Sequence, residues 1–234
     1  MKYFDLLPIY NTAKSSVKDD PVYLDENRLG HQVLEVKDLS DLKIPTQLVK
    51  GNLKLADFYY PSSDLAMRHI VSDRARMLLE SLREGNIRFY PCPLKHGIKD
   101  INDYWITDIV VFDDEWIDFG KTVFEFNDVK IIEGEAPNTK RYQDNVELMK
   151  FKNYDELCDF KYNRPNHLSK LSFVTIEIKE ACPFPILTFR SMNTYSIVIN
   201  EGVMAKIKSL GMDRGIVFKP FEIPYKKWPG PFED

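Results

Sequence analysis

The chain reads as an α+β protein built mainly on antiparallel sheet, and three observations lead there. Short runs rich in β-branched and aromatic residues recur along its length, with aromatics at 13% of the 234 residues, a composition suited to pleated surfaces. Helix-period patterns are few and short, and the clearest of them carries a capping residue and a terminal glycine. The last third of the chain also echoes an earlier stretch, which predicts two pseudo-repeated helix–strand units.

From the N-terminus, strands are predicted near Tyr3 to Ile9 and near Gln32 to Val36. "TQLVKGNLKLADFYY" supplies one more before "PSSD" turns the chain. In "VSDRARMLLESLREGN", Ser72 is the N-cap, its hydroxyl placed to accept a bond from an orphan N–H of the first turn. Ala75, Leu78, Leu79 and Leu82 follow at i, i+3, i+4 and i+7 and form one apolar stripe. Gly85 stands where a left-handed residue ends the helix, and "IRFYP" reads as a strand stopped by Pro91.

The middle is rich in strands. Tyr104 to Phe112 fits a pleated surface and is followed by an acidic turn, and "TVFEFNDVKII" alternates with a period of two. "EGEAPNTKRYQDN" is predicted as a loop, and a short helix at Tyr154 to Tyr162 starts from Asn153. "FVTIEIKE" is a strand with Val174, Ile176 and Ile178 on one face.

The echo appears when Ser72 is laid on Asn200, both as N-caps. Leu79 then falls on Ile207, Ser81 on Ser209 and Leu82 on Leu210. With one extra residue in the turn, Ile87 falls on Ile216, Phe89 on Phe218 and Pro91 on Pro220. Two copies are too few for a solenoid, so each helix is expected to pack on a sheet. Residues 1–54 are read as a strand-rich part of the same domain, 55–132 as the first α+β unit, and 146–234 as the second with an extended tail.

Composition narrows the functional classes. Lys and Arg total 32 against 36 Asp and Glu, a formal net charge of −4, and no basic block suggests a phosphate-neutralising surface; nucleic acid is not an expected partner. Cys92, Cys158 and Cys182 are odd in number and scattered, which points to a reducing compartment. "MKYFDLLPIY" lacks the apolar core of a signal peptide and no window has the length of a membrane span. A cytoplasmic protein without membrane contact is the expectation.

Catalytic chemistry finds little footing. Cys92 and His96 stand at a spacing that invites a metal, yet no second pair of ligands accompanies them. In the echo Cys92 falls opposite Phe221, an apolar position after a strand. No signature links a histidine to Cys92 or Cys182 as a nucleophile. Phosphate loops, dinucleotide fingerprints and nucleophile elbows are missing, and no cofactor is expected. The run "FDDEWIDF" offers Asp113, Asp114, Glu115 and Asp118 around Trp116. As paired carboxylates or cation ligands these would suit a small metal-dependent hydrolase, and as a charged turn between strands they need no function. A regulatory module for some other protein partner also stays open.

The segments "IVSDRARMLLES…NIRFYPCPL", "DYWITDIVVFDDEWIDF" and "TFRSMNTYSIVINEGVMAKIKSLGMDRGIVFKPF" together resemble immunity proteins of bacterial polymorphic toxin systems, in the related families numbered eleven and forty-three. The resemblance covers about residues 55–224, and its motifs mark structure and contain no catalytic residue. Asn86 stands where those families place glycine before Phe-x-Pro, with Gly85 beside it. The resemblance implies a non-enzymatic inhibitor in the cytosol that binds the toxic domain of a cognate effector. It also gives the acidic run a third reading. Asp113, Asp114, Glu115, Trp116 and Asp118 would receive a basic toxin surface, such as that of a nuclease.

Overall fold

The computed structural model describes residues 1–10, 12–14, 44, 46–49, 54–60, 68–134, 141–163, 168–191, 196–224 and 227–230. In chain order the elements begin with β1 (Tyr3–Pro8), β2 (Ala13–Lys14), β3 (Gln47–Val49), β4 (Phe58–Tyr59) and β5 (Ile70–Ser72). Helix α1 (Asp73–Leu82) follows, then β6 (Ile87–Pro91), β7 (Leu94–His96), β8 (Lys99–Ile101) and β9 (Tyr104–Ile109). A 3-10 turn (Asp114–Trp116) leads to β10 (Val123–Glu133), β11 (Arg141–Met149), α2 (Tyr154–Tyr162) and β12 (Lys170–Thr175). The chain continues with β13 (Ile186–Leu187), β14 (Ile197–Asn200), α3 (Glu201–Ser209) and β15 (Ile216–Pro220). The architecture is mixed α and β with mostly antiparallel sheet, and no described helix is long and apolar enough to cross a membrane.

Two compact units divide the chain, Met1–Phe112 with Phe184–Lys219, and Asp113–Pro183 with Pro220–Asp234. The first unit therefore gathers the N-terminal strand, the earlier helix and the later helix, where the sequence suggests separate halves.

Within the first unit one sheet has the order β4-β5-β9-β6 and another β13-β14-β1-β15. A third, β2-β3-β7-β8, contains the parallel pair β3–β7. The first of these sheets is buried on both faces over β4, β5 and β9, and its alternation sorts side chains between two cores. Phe58, Val71 and Ile87 join Leu78 and Leu79 of α1 and Ile199, Val203 and Ile207 of the later segment in the main core. Tyr59, Ile70, Tyr104 and Ile106 point the other way, into a core with Val49, Leu94 and Cys92. Successive residues of one strand thus serve opposite layers, as the two-residue period of a strand requires.

Helices α1 and α3 begin where their preceding strands end, while α2 starts at Tyr154, after β11 has ended at Met149. Ser72 accepts from the Ala75 amide at 3.3 Å, Asn153 from Glu156 at 2.9 Å, and Asn200 from Val203 at 2.9 Å. Ser72 also donates to Asp57, whose carboxylate takes Arg74 of α1 as well. Its cap is thereby tied to the start of β4. Gly85 after α1 adopts φ +77° and Gly215 before β15 adopts φ +72°. A Cβ at Gly215 would lie 2.4 Å from the Tyr10 ring, so glycine is required there on both counts.

Strand β1 runs antiparallel to β14, with Tyr3 opposite Asn200 and Leu6 opposite Ile197, and β15 lies on its other side. Asp5 on β1 and Lys219 on β15 form an ion pair of 3.2 Å, both side chains essentially without solvent. Burial pushes the Asp5 carboxyl up to about 6, against the opposing pull of Lys219.

The second unit is organised by the sheet β11-β10-β12. The predicted loop at 133–145 is shorter than expected, because β10 extends to Glu133 and β11 already begins at Arg141. The "FVTIEIKE" strand ends at Thr175, after which Ile176 is buried and Ile178 makes an isolated bridge to Ile117. The strand beginning at Tyr104 stops at Ile109, short of Phe112. "TQLVKGNLKLADFYY" yields two short strands where one is expected. The strand expected at Gln32 to Val36 lies outside the described residues.

Two predictions follow from caps and charge. Replacing Ser72 with Ala costs about 1–2 kcal/mol in urea denaturation and Asn200→Ala about 1 kcal/mol, the first being larger because Asp57 also loses a donor. Lys219→Met leaves a buried, uncompensated carboxylate and costs roughly 3–5 kcal/mol at neutral pH. The folded-state pKa of Asp5 is raised, so the stability tied to its protonation is present at low pH and lost as pH rises through about 6. Lys219→Met should therefore unfold at a higher temperature at pH 5 than at pH 7. Equal melting temperatures would refute the assignment.

Candidate interaction surface

Of the pair that first invites a catalytic reading, Cys92 is packed away and His96, at the end of β7, is half-buried. Cys92 is buried in the core beneath β5 and β9, its amide donating to the Tyr104 carbonyl at 2.9 Å. Burial pushes its thiol up to about 12, far from the thiolate a nucleophile needs. His69 is buried too and pushed down to about 4 by the same cause, with its ring edge-on to Tyr60 at 5.4 Å. Among the described residues no three His, Cys, Asp or Glu side chains converge as metal ligands would.

The acidic run folds as a 3-10 turn closed by Trp116 N–H to the Asp113 carbonyl at 2.9 Å and Ile117 N–H to Asp114 at 3.2 Å. Two strand-like bonds then fasten it, Asp118 N–H to the Glu177 carbonyl at 2.8 Å and Lys179 N–H to Trp116 at 2.9 Å. Asp113 and Asp114 are buried, Trp116 and Asp118 are half-buried, and Glu115 alone of the five is exposed. Asp118 takes Lys121 at 3.3 Å. Burial removes Asp113 and Asp114 from any accessible acidic patch, because a charged stretch that closes a turn onto neighbouring backbone turns part of its charge inward. What faces outward here is Glu115 with part of Asp118.

A larger outward surface lies on the ribbon β10–β11. One face of β10 is buried as far as Asp128: Phe124 meets Phe173 at 4.6 Å and Phe151 at 4.9 Å, and Phe126 meets Phe160 of α2 at 5.0 Å. Asp128, on the same face, accepts Ser169 at 2.9 Å and Lys130 at 3.3 Å. The opposite face is set by the register Glu125↔Leu148, Asn127↔Val146, Val129↔Asp144 and Ile131↔Tyr142. On it Ile131, Tyr142, Val146 and Leu148 are 45, 51, 55 and 68% exposed. Strand β12 pairs with β10 only over Val123–Asn127. Beyond that point the ribbon has two strands among the described residues, and β11 is the edge of the described sheet.

Four large apolar side chains exposed on one sheet face make a surface of the kind that marks protein contacts. They escape a reading of the sequence because Asp144 interrupts the alternation Tyr142, Val146, Leu148. The adjoining loop signal also pulls Arg141 to Asn145 out of the strand. The usable clue is the period-two spacing of Val146 and Leu148 behind Tyr142.

No protein-family model and no curated protein matches the chain.

The burial pattern makes a simple chemical prediction. With native protein and a thiol-alkylating reagent, Cys158, half-buried on α2, reacts rapidly, while Cys92 and Cys182 react only in denaturant. Mass spectrometry of the alkylated peptides reads this directly. Fast native labelling of Cys92 would contradict its buried placement.

Proposed function

We propose that the protein is a non-enzymatic inhibitor, an immunity protein that binds and neutralises the toxic domain of a cognate polymorphic toxin in the cytosol. The observation that carries this reading is the arrangement of the segments that resemble such proteins. Phe58 pairs with Val71 and Tyr59 with Ile70, as Ile186 pairs with Ile199 and Leu187 with Val198. The cap Ser72 lies opposite Tyr104, and the cap Asn200 lies opposite Tyr3. The amides of Asp73 and Glu201 donate to the residues just before those tyrosines, Asp103 and Lys2. Ser81 and Ser209 each donate back to the carbonyl three residues earlier. We read the two as duplicated helix–strand units, β4-β5-α1-β6 around β9 and β13-β14-α3-β15 around β1, which is the repeated pattern on which the resemblance rests.

Binding would use the exposed ribbon face. Tyr142 and Leu148 act as anchors within a larger complementary area, and Glu115 supplies negative charge toward a basic toxin. Cells producing a polymorphic toxin encoded beside this protein survive when the wild-type protein is co-expressed. They die when Tyr142→Ala and Leu148→Asp are combined, and the purified variant loses the toxin complex while keeping its melting temperature. Survival with the double variant would displace the binding face. Killing in the presence of the wild-type protein, with no complex between the purified partners, would refute the function.

A further inference from the structure

We propose that β11 is a homodimerisation edge, pairing antiparallel with β11 of a second copy about a two-fold axis at Asn145. The inference does not depend on the inhibitory function. It starts from the edge itself: nine residues, Arg141–Met149, free of proline and glycine, with β10 on one side and every residue from Arg141 to Leu148 exposed. Such an edge presents a row of backbone donors and acceptors to any strand that fits.

Side-chain order selects a second copy as the strand that fits. A two-fold axis normal to the sheet keeps each side chain on its own face, so the pairing must centre on a residue. Centred on Asn145, Tyr142 faces the partner's Leu148, Asp144 its Val146, Gln143 its Glu147, and Arg141 its Met149. No like charges are directly opposed. Arg141 and the partner's Glu147 become diagonal neighbours twice over, against one diagonal contact between the two copies of Asp144. Centring on Asp144 or on Glu147 would oppose identical carboxylates. Centring on Val146 would set Leu148 against Asp144 and lose the apolar pair. The charges that would repel other strands thus sit opposite neutral residues when the strand meets itself. The apolar faces carrying Ile131, Tyr142, Val146 and Leu148 also become one surface across both copies.

Gln143 provides the test, because it is exposed and lies opposite Lys130 within its own chain. Gln143→Glu places glutamates against the partner's Glu147 but improves the pairing with Lys130. Gln143→Lys attracts the partner's Glu147 and opposes Lys130. Sedimentation of the purified full chain across micromolar concentrations should show a monomer–dimer equilibrium. Gln143→Glu should weaken it about tenfold and Gln143→Lys should tighten it by a similar factor. Melting temperatures measured at high dilution should be unchanged or move the opposite way, which separates the dimer effect from folding. A wild-type chain monomeric at several hundred micromolar overturns the proposal and leaves the edge to a strand from another protein. A dimer insensitive to both substitutions overturns it as well, since its interface then lies elsewhere.

Discussion

Strand β1 has to lie between β14 and β15, and the larger unit depends on that insertion. Without it the strands flanking α3 have no common neighbour, and the apolar residues they carry into the main core have no sheet to hold them in register. The buried pair of Asp5 and Lys219 joins two of these strands directly. Such a pair gives little net stability compared with apolar residues of the same size, because desolvation consumes most of the Coulombic attraction. Its effect lies in discrimination: any other register leaves one charge buried alone. A central strand recruited from the far end of the chain is where that discrimination matters most.

The two units meet the demands of burial differently. In the first, β4, β5 and β9 are covered on both faces, so each of these strands must satisfy two cores. In the second, β10 is buried on one face only, under an aromatic cluster centred on Phe124. That cluster anchors the base of the ribbon and leaves the distal half free of packing constraints. Rigid support at one end and exposed apolar residues at the other is an arrangement suited to recognition.

Much of the local structure is legible in the residues themselves. The caps Ser72, Asn153 and Asn200 fall where helices begin, because N-cap chemistry is a short-range matter between one side chain and the next turn. Strands with a buried face, such as β6 and β10, reveal themselves by alternation. The ribbon strand β11 does not, since exposure on both faces erases the period-two pattern. The insertion of β1 is equally hidden, because pairing Tyr3 with Asn200 is a relation between distant residues that no local propensity encodes. In the candidate site the acidic run reads plainly as a turn. Which of its carboxylates turn inward depends on backbone bonds to Glu177 and Lys179, some sixty residues away.

The placement of β1 also orders events in time. It leaves the ribosome well before its neighbours β14 and β15, a wait of roughly 10–40 s at ordinary synthesis rates of about 5–20 residues per second. During that interval an apolar strand carrying Asp5 has no native partner, and the loop it must eventually close spans most of the chain. Closure of the sheet β13-β14-β1-β15 therefore waits until Ile216–Pro220 has been made. A nascent chain released before Ile216 cannot close this sheet, although every residue of the ribbon β10–β11 has by then been made.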